Sequence, residues 1–240
     1  MGMAFCAFAS GADTLPAGDF EDLDGPGGYL VIQPAVGERR AFELVAYGAN
    51  RHTCGLSGNI EGHLGEASAT GSSSICRVDF HPLPNAMRVE TADGAGNFEA
   101  CRTFCGMRAS FDRTYYKPPP GCTRPERQAL VEAFRQAEGA KEYGRALGVL
   151  QRVQADCGRF LGWIERDAVH NHVALTLHRL DKNADCLIEL DKTRASSAGG
   201  ESALREQFPG EPMSLEAYLP TARTTWHVRS ICSGAEPKAP

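Results

Sequence analysis

Tyr115-Tyr-Lys-Pro-Pro-Pro-Gly-Cys-Thr-Arg-Pro-Glu126 is the stretch on which the chain turns. Three consecutive prolines cannot continue a helix or sit inside a sheet, because each lacks an amide proton and has its φ fixed. Directly after them, Thr123-Arg-Pro-Glu126 reads as a helix start: Thr123 as N-cap, Pro125 in the first turn and Glu126 at the capping-box position. The two sides of this stretch therefore belong to different structural classes.

Upstream the chain is strand-like. Tyr29–Gln33, Phe42–Tyr47, Gly55–Ile60, Ile75–Phe80 and Ala86–Thr91 are short β-rich runs, several of them alternating, and residues 107–116 offer one more. Turn signals separate them at Asp24–Gly28, Gly71–Ser74, Pro82–Asn85 and Asp93-Gly94. Downstream the spacing is helical, with a break at Arg194–Gly200 and a last helix over about Ser214–Val228. The fold class predicted is α+β: a small antiparallel β-domain over residues 10–122, a twisted sheet or partly closed barrel, then a helical domain over 123–233 and a tail over 234–240.

Of the 240 residues, 42% are hydrophobic and 23% charged, which is globular composition. The charge is uneven. Residues 10–122 carry 14 acidic against 9 basic side chains, whereas 123–240 carry 16 of each, so the whole net charge of −5 falls on the β-domain. A general nucleic-acid binder needs a basic footprint, and none is present. No apolar run reaches the ~20 residues of a membrane span.

Nine cysteines set the compartment. Cys6 lies in Met1–Ala9, which ends in Ala7-Phe8-Ala9 and reads as the remnant of a signal peptide with an A-x-A cleavage site. Its removal leaves eight: Cys54, Cys76, Cys101, Cys105, Cys122, Cys157, Cys186 and Cys232, an even set suited to four disulfides in an oxidising, periplasmic setting. Proximity along the chain favours Cys54–Cys76 and Cys157–Cys186. Cys122 then takes Cys101 or Cys105, and Cys232 takes whichever of those two is left.

Motifs for catalysis are missing. There is no phosphate loop, no G-x-S-x-G elbow and no H-E-x-x-H. His52, Cys54, His63 and the Cys101/Cys105 pair are poorly spaced for zinc, and a Cys105–His81 pair would need a free thiolate. His170, His172 and His178 read as solvated or half-buried helix residues. The expectation is no catalytic residue, no metal and no cofactor. Arg and aromatic side chains, which protein interfaces favour as anchors, concentrate between Cys101 and Pro118. Arg102, Arg108, Tyr115, Tyr116 and Lys117 are its candidate contact residues, with Phe104 and Phe111 as core in the structural alternative. The polar loops Gly65–Ser74 and Thr91–Phe98 are further candidates for a contact surface.

The helical half repeats itself. Leu130, Phe134, Ala137, Ala146, Leu150 and Val153 recur 40 residues later as His170, Ala174, Leu177, Cys186, Leu190 and Thr193, with spacings of 4, 3, 9, 4 and 3 in both. With small Ala146 and Cys186 in the second helix of each unit, residues 125–194 resemble tetratricopeptide (TPR) repeats, without their first-helix Trp and with six extra residues around Cys157–Trp163. The resemblance implies a groove lined by first helices, including Gln128, Arg135, Glu138, Asn171 and His178. The β-domain around Gly58–Gly62, Cys76–Phe80 and Met87–Glu90 resembles in style the small disulfide-bonded periplasmic lysozyme inhibitors and immunity proteins. That implies a protein partner, a secreted toxin or cell-wall hydrolase, blocked by steric occlusion. The alternative expectation is a periplasmic scaffold or envelope-assembly factor, and after it a cell-wall enzyme.

Overall fold

A computed structural model describes residues 15–23, 27–68 and 74–234. Eight antiparallel strands run up and down in sequence order: β1 (Gly18–Asp22), β2 (Gly28–Ile32), β3 (Arg39–Tyr47), β4 (Thr53–Glu61), β5 (Leu64–Ser68), β6 (Ile75–Leu83), β7 (Ala86–Thr91) and β8 (Arg113–Tyr116). The sheet closes fully, because β8 returns to β1 with Glu21 opposite Tyr116 and Asp22 opposite Tyr115. Closure leaves no strand edge unpaired. Eight strands enclose a space that side chains can fill. Phe42, Leu44, Ala46, Leu56, Ile60, Val78, Phe80, Met87 and Val89 fill it from alternate positions.

Two strands that the sequence pattern does not announce complete the ring. In β5 the interior positions are Gly65 and Ala67, so Leu64–Ser68 reads as a polar loop. Those small residues are required: a Cβ at Gly65 would stand 2.5 Å from the Phe80 ring and 3.1 Å from that of Phe42. The two rings meet edge to face with centroids 5.1 Å apart in the space the glycine leaves. In β1 the only large apolar residue is Phe20, between acids. Helix α1 (Asn97–Arg102), between β7 and β8, is likewise unannounced. Its buried Asn97 accepts from the Arg77 amide at 2.8 Å and donates to the Arg77 and Ala92 carbonyls, which ties α1 to the backbone of β6.

After the prolines come α2 (Arg124–Gly139), α3 (Tyr143–Cys157), α4 (Trp163–Arg179), α5 (Asn183–Leu190), α6 (Glu201–Glu206) and α7 (Pro212–Ser233). Thr123 caps α2, its amide and hydroxyl both bonding the Glu126 carboxylate at 3.0 and 2.7 Å. The 40-residue repeat is structural as well as sequential. Lys141 and Asp181, 40 apart, both turn left-handed with φ of 59° and 60°. The hydrogen bonds closing the two turns also correspond one for one: Glu142 to Ala137 and Ala146 to Glu142 in the first, Lys182 to Leu177 and Cys186 to Lys182 in the second. Helix α7 lies against α4 and α5 and covers their outer face. A 3-10 turn over Arg194–Ser197 occupies the expected break. Tyr218 of α7 anchors it, accepting from the Ala195 amide at 2.8 Å and donating to buried Asp167.

All eight expected cysteines form four disulfides, but each chain-proximity pairing is replaced. The bonds are Cys54–Cys105, Cys76–Cys101, Cys122–Cys157 and Cys186–Cys232. Cys54 and Cys76 lie on β4 and β6, which β5 separates, so each instead bonds the segment that crosses the barrel mouth. The α2–α3 hairpin carries Cys157 back to Cys122 before α2, and α7 brings Cys232 onto α5. Four disulfides belong to an oxidising compartment. No helix among the described residues is long and apolar enough to cross a membrane. Residues 1–9, read as leader remnant, and the 234–240 tail apart from Gly234 lie outside the described residues.

In the helical domain a carboxylate is buried where α3, α4 and α5 meet. Glu189 accepts from Gln154, His170 and Lys192, with the His170 contact at 2.7 Å. Burial alone would raise its pKa, but these hydrogen bonds outweigh burial and bring it down to about 2. A depressed folded pKa gives stability that is present above the ordinary value of 4.5 and lost as pH falls toward 2. The expected loss over that interval is at most about 3 kcal/mol. Urea unfolding at stepped pH checks this: Glu189→Gln should flatten the acid limb, and an unchanged limb would assign it to other carboxylates.

Candidate protein-binding surface

Helix α1 and the loop after it form a platform at the mouth of the barrel. Its two ends of sequence are stapled, Cys101 to Cys76 of β6 and Cys105 to Cys54 of β4. Between the staples and the barrel the backbone is knit further: the Gly106 amide donates to the Thr53 carbonyl at 2.8 Å, and the Gly55 amide to that of Phe104 at 3.1 Å. At Gly48 a Cβ would lie 1.7 Å from the Arg108 carbonyl oxygen, so only glycine permits this close approach. The Asp112 carboxylate accepts from the Thr91 amide and holds the loop's return into β8.

On this rigid base two large apolar side chains face solvent. Phe98 is 61% exposed and Met107 80% exposed. They flank a hollow of about 170 Å³ that Arg102 and Phe111 also line. The Arg102 guanidinium sits 5.7 Å from the Phe98 ring centroid, and Arg108 donates to the Gly210 carbonyl at 3.3 Å. Phe104 is half-buried and Phe111 buried, as the core alternative for these two expected.

The remaining candidates of this segment separate. Tyr115 points into the barrel, fully buried, with its hydroxyl unbonded and its pKa raised by burial. It cannot touch a partner, a correction that follows from β8 being a barrel strand whose alternate residues face inward. Tyr116 and Lys117 lie at the far end of β7 and β8, where the Lys117 amide bonds the Asn85 carbonyl. There they line a second groove with the prolines and Phe160.

The helical candidates are also divided. Gln128 and Arg135 are exposed on α2, Arg135 with Glu132 at 3.7 Å. Glu138 pairs with Arg179, and His178 bonds Asn183 at 2.7 Å. Asn171 is 2% exposed because α7 covers it; its amide donates to the Thr221 carbonyl and its oxygen accepts from Thr225. It is corrected from a groove residue to a helix–helix contact. The cysteines of the weighed zinc set and of the Cys105–His81 pair are all disulfide-bonded, so none offers a thiolate.

Where barrel meets helices, sequence reasoning missed the residues that matter. Arg127 of α2 grips Glu21 of β1 with both terminal nitrogens, at 3.0 and 2.9 Å, and bonds the Cys122 carbonyl at 2.6 Å. Both side chains are buried, and burial raises the Glu21 pKa. A signal existed: Arg127 precedes Leu130, Phe134 and Ala137 in the apolar register of α2, so it had to enter a packed face. No known protein family, curated protein or solved structure matches this chain.

Proposed function

We propose that this chain is an exported periplasmic protein that binds a protein partner, an inhibitor or immunity protein that blocks a secreted toxin or cell-wall hydrolase. One observation carries the reading: Phe98 and Met107 stand exposed beside Arg102 and Arg108 on a segment locked by two disulfides. Aromatic, Met and Arg side chains are enriched at interfaces, and a preformed platform avoids ordering costs on binding. The partner loses its active site by being covered, with no chemistry from this chain. The acidic balance of the barrel favours a basic target through steered encounter.

The test uses purified, oxidised protein against a panel of cell-wall hydrolases in a peptidoglycan-clearing assay. Stoichiometric inhibition of one of them is expected, and the double variant Phe98→Asp/Met107→Asp should weaken it by about a hundredfold. Undiminished inhibition by that variant would move the surface elsewhere, and no inhibition across the panel would overturn the reading. The repeated helical hairpins favour the second reading, a TPR-type scaffold. It would use Gln128 and Arg135 on α2, and substituting those two would then abolish partner capture while Phe98→Asp would not.

A further inference from the structure

A cleft of about 450 Å³ opens between the barrel and the helices. It is separate from the platform, and nothing in the proposed inhibition uses it. Its walls are aromatic and charged: Tyr29 from β2, Arg124 and Arg127 from α2, Trp163, Glu165 and Arg166 from α4. Three guanidiniums, Arg124, Arg127 and Arg166, face three carboxylates, Glu21, Asp22 and Glu165, along the described lining. Arg127 is spent on Glu21 and Asp22 is paired with Arg113. Arg124 and Arg166, both exposed, have no carboxylate partner among the described residues. The Arg124 guanidinium carbon lies over the Tyr29 ring, 3.4 Å from its centroid, and Arg166 is steadied by the Leu161 carbonyl at 3.3 Å.

Two further features leave N–H donors at the site. Helix α4 begins here with Gly162 as its N-cap, so no side chain satisfies its first amides, in contrast to the capped α2. Arg127, with only 8% of its side chain exposed, keeps an Nε that makes no hydrogen bond, the Glu165 carboxylate standing 3.5 Å away. Among the described residues that line the cleft, Glu165 is the carboxylate without a close hydrogen-bonded guanidinium. A dianion would be repelled by it. A monoanion that also carries N–H groups suits the whole set, with Glu165 as acceptor and Trp163 as an apolar wall. Clefts between domains are where ligand sites most often form.

We propose that this cleft binds the C-terminal carboxylate of a short peptide, held by Arg124 and Arg166, with the terminal side chain against Trp163. Charge-assisted bonds from guanidinium to carboxylate give both the affinity and the preference for a free acid.

The experiment titrates the isotope-labelled, disulfide-intact full chain with N-acetyl-Ala-Phe as the free acid and, separately, as the amide. Saturable shifts at the Gly162 amide and the Trp163 indole are expected with the acid, and affinity at least about tenfold weaker with the amide. Arg124→Gln and Arg166→Gln should each weaken acid binding about tenfold. Glu165→Gln should weaken acid and amide alike and keep the preference for the acid, whereas the two arginine variants should lose that preference. Equal binding of acid and amide, no saturable shift up to about 10 mM peptide, or indifference to all three substitutions would overturn the proposal.

Discussion

Replacing Arg127 with leucine should cost about 3–5 kcal/mol of stability and loosen the helices from the barrel. The reason lies in what remains. Glu21 sits in β1 with its side chain 7% exposed, and both its oxygens take their hydrogen bonds from Arg127. Without the guanidinium a carboxylate is left buried at a domain boundary with no compensating charge in hydrogen-bond range. The reverse deletion should be milder: in Glu21→Leu, Arg127 keeps the Cys122 carbonyl at 2.6 Å and Glu165 nearby at 3.5 Å. The double variant Glu21→Leu/Arg127→Leu should return to within about 1–2 kcal/mol of the parent, because leucines of similar reach restore packing and no charge is stranded. Urea unfolding of the four proteins gives the coupling directly. A loss below about 1 kcal/mol in Arg127→Leu would mean that water or rearrangement reaches Glu21, and that the pair does not hold the domains.

Two of the buried carboxylates, Glu21 and Glu189, pull stability in opposite directions with pH. The folded pKa of Glu21 is raised by burial, so between 4.5 and that value the native state binds more protons than the unfolded chain. Its contribution therefore falls as pH rises through that window. Glu189 does the opposite below 4.5. Of these two, the carboxylate in the helical domain is the one whose contribution acid removes.

How much of this could be read from sequence depends on whether the deciding contact is local. The change of class at the prolines, the start of α2 and the two hairpins are local or periodic, and each is visible in the chain. Barrel closure is not. It rests on β1, whose one large apolar residue is Phe20, and on β5, whose interior positions are Gly65 and Ala67, because the Phe42 and Phe80 rings already fill the space at Gly65. A strand whose partner supplies the bulk leaves no alternation to read. Arg127 shows the intermediate case: its place in the apolar register is visible, but its partner lies 106 residues away and cannot be guessed. The proposed platform joins Arg102 and Arg108 of the Arg- and aromatic-rich segment to Phe98 at the end of the Thr91–Phe98 loop. Nothing in the sequence sets Met107 apart, because exposure of an apolar residue is a property of the fold.

Disulfide pairing is the other non-local quantity, and removing a pair should have an effect of similar size. Cys186 and Cys232 are 46 residues apart, a loop whose closure is worth about 4 kcal/mol in the chain-entropy account. The bond fixes the far end of α7 to α5, so Cys186→Ala/Cys232→Ala should lower the unfolding midpoint by a large fraction and expose Val228 and the α4–α5 face to protease. Cys76→Ala/Cys101→Ala, with a loop of 25, should cost slightly less, about 3.5 kcal/mol, but act elsewhere. It releases α1, and with it Phe98 and Arg102, so under the proposed function partner binding should fall while the helical domain keeps its protease resistance. The two variants therefore separate stability of the helices from integrity of the platform. Peptide mapping without reduction should recover Cys54–Cys105, Cys76–Cys101, Cys122–Cys157 and Cys186–Cys232. If Cys76→Ala/Cys101→Ala were to bind its partner undiminished, a preformed platform would not be the source of affinity. The contact surface would then have to be sought on the helices, whose integrity that variant leaves untouched.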